Sequence, residues 1–251
     1  CGKRPTPMPV LSADGRLLAA ADANVVRIWK RTGRDGQGAW EPFATRKFAP
    51  RTDDEDVAGR EDRISAMAFG ASALAVGTVT GGLQVLQLGD RNVSPVANVD
   101  NGVAVRALSF NRAGTRLRVG GEDGFITTYE LSPFKRLRVS ERHEREISGI
   151  ESVLAKGVGN RWFTADVEGY VLEMELLSSK SKDGRTPITA TEVSRRDSGP
   201  IWAIALDRDG TFLVTAGEAL LGWDLSQRNV LANAQARRKA AAPDAQGATT
   251  R

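Results

Sequence analysis

The sequence predicts an all-β chain, a β-propeller of about five four-stranded blades, and three observations predict it. One hairpin pattern recurs five times, at intervals of roughly 50 residues, the spacing of repeat arrays. Each copy has an apolar strand just upstream. Each has a more polar strand-like segment just downstream. Four short strands per unit, repeated in series, are the blades of a propeller.

The clearest hairpin is LRVGGEDGFITTYE, Leu117 to Glu130. Leu117 to Gly120 reads as a strand. Glu122-Asp123-Gly124 reads as its turn, because Asp and Gly tolerate the positive φ of a tight hairpin. Phe125 to Glu130 returns, rich in β-branched and aromatic residues. The other copies end at Trp29, Leu86, Met174 and Trp223. Alone, such a hairpin is barely stable in water, so the copies must pack on one another.

In chain order, residues 1–8 read as an extended tether. The first unit spans 9–48, with companion strand PVLSADG and a hairpin turn at Ala23-Asn24, where Asn is expected to take the left-handed conformation. An acidic loop, Arg51 to Asp62, follows. Its carboxylates Asp53, Asp54, Glu55 and Asp56 lack the alternation and central Gly of an EF-hand, so a solvated connection is the expectation. The second unit spans 64–100, with ISAMAFG first and a turn at Thr80-Gly81-Gly82. That Gly pair has no Lys or following helix to cradle a phosphate. The third unit spans 103–140, opened by VRALSFNRAG. The fourth spans 147–194, opened by ISGIESV and carrying the polar insertion SSKSKDGR. The fifth spans 201–235, opened by IWAIALDRDG, with NVLANAQ as its expected outer strand. Residues 236–251 read as a disordered basic tail.

These units resemble WD repeats, whose hairpin consensus runs roughly L-A-S-G-S-x-D-G-x-I-x-L-W-D. Leu117–Glu130 matches it without a gap, and Trp223-Asp224 supplies the dipeptide that names the family. The resemblance covers about residues 9 to 235. It implies a ring of blades and, by default, a binding role rather than catalysis. WD rings most often have seven blades. Five units therefore imply either a five-bladed ring or, the reading preferred, a propeller that is incomplete or completed by a partner. The resemblance also implies that a His ahead of the inner strand, here His143, bonds a hydroxyl such as Thr164. In this family that network continues to an Asp of the hairpin turn, where this chain has Glu168. The network then reads as incomplete, with His143 exposed as the alternative.

Charge and composition narrow the function. The formal net charge is +4. That excess sits in residues 226–251, in Arg228, Arg237, Arg238, Lys239 and Arg251 against Asp244, so the body is neutral and no nucleic-acid partner is expected. The sole cysteine is Cys1, which excludes an internal disulfide and a Cys-based metal cluster. A Cys in first position resembles a mature bacterial lipoprotein, which implies lipid attachment at Cys1 and a place at the periplasmic side of the cell envelope. The alternative is a regulatory module cut from a longer cytoplasmic protein. A lone histidine and the absence of G-x-S-x-G argue against a serine triad. No cofactor or metal is expected, and the chain is not expected to be an enzyme. A ligand or catalytic site in the central channel is the third reading.

The leading expectation is a scaffold subunit that binds other proteins. The resemblance points side chains just after the first hydrophobic residue of the inner strand onto the narrower, top face, and implies Met8, Ser65, Arg106, Ser148 and Trp202 as the matching positions. Trp and Arg are enriched at binding hot spots. Arg106→Glu and Trp202→Ala are therefore expected to fold normally and to weaken partner binding.

Overall fold

The structure, a computed structural model, describes residues 9–33, 38–48, 62–90, 92–139, 143–155, 161–176, 188–194 and 199–226. These form nineteen strands in five antiparallel sheets, ordered along the chain. Sheet 1 contains β1 (Val10–Leu11), β2 (Leu17–Asp22), β3 (Val25–Arg31) and β4 (Trp40–Lys47). Sheet 2 contains β5 (Ile64–Phe69), β6 (Ala73–Thr78), β7 (Gly82–Leu88) and β8 (Val93–Asp100). Sheet 3 contains β9 (Val105–Phe110), β10 (Arg116–Gly121), β11 (Ile126–Leu131) and β12 (Phe134–Val139). Sheet 4 contains β13 (Ile147–Ser152), β14 (Arg161–Asp166), β15 (Val171–Leu176) and β16 (Ile188–Ser194). Sheet 5 contains β17 (Ile201–Leu206), β18 (Phe212–Gly217) and β19 (Leu220–Asp224). Within each sheet every strand pairs with the next in sequence. The four-strand pattern expected from the repeats is present in four sheets. Sheet 5 shows three strands, and its expected fourth, NVLANAQ, lies outside the described residues.

The turns after the first strands explain part of this regularity. Asn111 and Asp207 each open a turn of the form Asx-x-x-Gly. The Oδ1 of Asn111 accepts the N–H groups of Thr115 and Arg116 at 2.9 Å. The Oδ1 of Asp207 accepts those of Thr211 and Phe212 at 2.7 Å. An Asx side chain that satisfies the backbone two strands share fixes where the next strand starts.

The sheet 3 hairpin turn is a residue longer than the tightest form. Gly121, Gly124 and Phe125 exchange backbone hydrogen bonds around Glu122-Asp123-Gly124. Only Gly124 has positive φ, at +80°; Asp123 contributes by accepting the Phe125 N–H at 3.1 Å. This is a three-residue loop closed by a left-handed glycine. In sheet 1 the left-handed residue is Ala23, with φ +50°, and not Asn24. Asn24 instead donates its amide to the Phe48 carbonyl at 3.0 Å. That bond ties the turn to the chain leaving the sheet.

A shared rule governs how the sheets stack. In β6, β10, β14 and β18 even positions face the preceding sheet, and in β2, β6, β10 and β14 odd positions face the following one. Leu74, Leu117, Trp162 and Leu213 stand at position two, each 2% exposed or less. Ala19, Ala75, Arg118 and Phe163 stand at position three, each 3% exposed or less. Four apolar clusters result, one between each successive pair of sheets. Small residues at position five let the next inner strand approach. A Cβ on Gly120 would lie 2.5 Å from the Ile147 side chain, and one on Gly77 would lie 2.2 Å from Val105. The inner strands β5, β9, β13 and β17 are thereby brought into series.

Candidate functional site

The end of the sheets where the inner strands begin carries the hairpin turns and the connectors between sheets. A groove of about 420 Å³ opens there between sheets 2 and 3. Its walls are Val79, Thr80, Val103 and Ala104, with Gly102 at the connector and Glu122 and Asp123 at the hairpin turn. The connector is shaped by its own hydrogen bonds: the Gly102 N–H donates to Asp100 Oδ1 at 2.8 Å, and Asn101 Nδ2 to the Val103 carbonyl at 3.3 Å. Thr80 is held from below, donating to the buried Asp62 at 2.6 Å. The groove is therefore apolar along its walls and acidic at one lip.

The predicted top-face residues gather at this same end but differ in what they do. Arg106 is not a free cation. Its guanidinium lies 2.6 Å from Glu122 and 2.9 Å from Glu146, and its side chain is only 14% exposed. It joins the sheet 3 turn to the connector entering sheet 4. Arg106→Glu would set three carboxylates together, so normal folding is no longer the expectation for that variant. Ser65 donates to the Val105 carbonyl, a bond from sheet 2 to sheet 3. Ser148 Oγ is buried and has no hydrogen-bond partner among the described residues. Trp202 is 63% exposed. Met8 and Cys1 lie outside the described residues, as do 51–61 of the acidic loop, the SSKSKDGR insertion and the basic tail.

His143 is buried, 3% exposed, which excludes the exposed alternative. Its Nε2 meets Thr164 Oγ1 at 2.8 Å, the partner the resemblance implied. Its Nδ1 meets Asp166 Oδ2 at 2.9 Å. Asp166 thus completes the network from the end of β14. Glu168 in the turn pairs instead with Arg145. Asp166 also accepts the N–H groups of Glu168 and Tyr170 at 2.9 and 3.0 Å. An Asp–His–Thr series superficially suggests a nucleophile and its base. Thr164 is fully buried and Asp166 1% exposed, so the set serves to lock the hairpin. Sheet 5 keeps a complementary piece of the network, with Trp223 Nε1 donating to Thr215 Oγ1 at 3.1 Å.

Two ionisable groups lie between sheets. Arg118 is 3% exposed, stacks 4.0 Å over the Trp162 ring and donates to Ser152 at 2.8 Å. Burial, with the nearby Arg116 charge, pulls its pKa down to about 9. Ser152 in turn bonds Ser109 at 2.8 Å across the interface. Glu151 shares a face with Phe163, directed toward sheet 5. Desolvation pushes its carboxyl up to about 7. Among the described residues no group of three His, Cys, Asp or Glu side chains is placed to hold a metal.

The groove was not legible in the sequence. Val103, Glu122 and Asp123 come from a connector and a turn that read as loop, and only packing of sheet 2 on sheet 3 brings them together. Neither was the role of Glu146, whose pairing with Arg106 depends on sheet 4. No protein-family model matches the chain, and no curated protein matches it.

Proposed function

We propose that the chain is a non-catalytic protein-interaction scaffold of the WD-repeat propeller type, and that the groove takes a basic peptide segment of a partner protein. The observation that carries this reading is the groove itself. It pairs apolar walls at Val79, Val103 and Ala104 with the carboxylate of Asp123, while Glu122 beside it is held by Arg106. Such a site suits an extended segment carrying Lys or Arg beside an apolar residue, since rim charges set orientation and on-rate while buried apolar contact supplies affinity. Trp202, exposed at the same end of its sheet, offers a second anchor of the type enriched at hot spots.

The propeller reading is supported by five sheets in sequence order with apolar clusters between neighbours. The non-catalytic reading is supported by the burial of the Asp166–His143–Thr164 set.

Fluorescence anisotropy against labelled peptides rich in Lys and Arg tests the binding site. Asp123→Asn is expected to weaken binding about threefold to tenfold, a rim-charge effect of roughly 1 kcal/mol. Val103→Asp is expected to abolish it. Unchanged affinity in both variants would remove the groove from the account.

A further inference from the structure

The stacking rule leaves two sheet faces open among the described residues, and they are the two halves of one more interface. In sheet 5 the odd face is uncovered. Phe212 is 47% and Leu220 75% exposed, and Val214 is half-buried although its counterparts Ala19, Ala75, Arg118 and Phe163 are all buried. The register places Phe212, Val214, Ala216, Leu220 and Gly222 on that one face. In sheet 1 the even face is uncovered. Leu11 is 55% exposed, and Leu18, Ala20 and Trp29 are half-buried, although Leu74, Leu117, Trp162 and Leu213 at the Leu18 position are buried.

We propose that a second copy of the chain docks here head to tail, the even face of its sheet 1 covering the odd face of sheet 5. Three features favour that occupant. Odd face on even face is how all four existing interfaces are made, so a second copy continues the series without a new kind of contact. Both faces are broad and apolar, the character of an interaction surface. Ala216 adds a shape argument. It stands at position five, where small residues in the other sheets receive the next inner strand, and it is only half-buried. The contact is heterologous, so copies add in one direction and give a ring or a filament.

Light scattering of the purified full chain over a wide concentration range reads the outcome. The mass is expected to rise with concentration from that of the 27.0 kDa chain to twice that value or more. Leu220→Asp and Leu11→Asp alter exposed residues, so both are expected to fold as wild type by circular dichroism and each to be monomeric alone. Mixed, they retain one intact face of each kind and are expected to form a 1:1 dimer that grows no further. A wild type that stays monomeric at every concentration would overturn the proposal, as it would if a different protein were the occupant. A mixture of the two variants that remains monomeric would do the same, and so would association unaffected by either substitution.

Discussion

His143 shows how far one side chain settles local structure. Both ring nitrogens are engaged, and its backbone N–H donates to the Gly124 carbonyl at 3.0 Å. The residue therefore ties the turn of sheet 3 to β14 of sheet 4. His143→Ala leaves Asp166 and Thr164 buried without that partner, a loss of about 2–4 kcal/mol. Urea denaturation measures it; a change below about 0.5 kcal/mol would show that the network contributes nothing. Glu151 gives a pH signature. The folded carboxyl holds its proton up to about pH 7, whereas the unfolded one releases it near its ordinary value of 4.5. In that window the folded state binds more protons, so this group's contribution falls as pH rises from 4.5 to 7, by about 3 kcal/mol at most. Glu151→Gln is expected to flatten the wild-type decline there. Superimposable pH profiles would refute the assignment. The Thr164 contact was legible in sequence through the WD resemblance. Asp166 was not, because the turn register decides whether it or Glu168 points inward.

At the scale of elements, two glycines with nearly the same φ separate backbone strain from collision. Gly15 has φ +70° and open space around its missing side chain. Gly124 has φ +80°, and a Cβ there would lie 2.3 Å from the His143 carbonyl oxygen. Gly15→Ala is expected to cost about 1 kcal/mol from conformation alone. Gly124→Ala is expected to cost at least 2 kcal/mol more, because backbone has to move. Equal melting-temperature shifts would contradict the close approach. Most strands were legible because alternation and turn chemistry act locally. Asn111, Asp207 and the glycines that follow them mark strand starts in the sequence itself. Ala23 was not legible: the Asn24 side chain is drawn to Phe48, so its neighbour takes the strained conformation. Such a long-range hydrogen bond leaves no local signal.

Across the whole molecule, sheet order follows chain order, and one packing rule repeats four times. That regularity made the repeat visible before any contact was known. The end that bears the groove was only partly visible in the sequence. The inner-strand positions Ser65, Arg106, Ser148 and Trp202 could be aligned by sequence, but their roles diverged with their neighbours. Ser65 bridges sheets, Arg106 is held by two carboxylates, the half-buried Ser148 turns its hydroxyl inward and Trp202 faces solvent. The groove depends on three segments distant in sequence, so pattern alone does not reveal it. The proposed function puts a partner's chain in this groove. Hydrogen–deuterium exchange of the full chain, with and without a bound Lys/Arg-rich peptide, tests it most directly. Protection confined to the segments around residues 79–81, 101–105 and 121–125 is the predicted result. Protection elsewhere, with those segments unchanged, would contradict it.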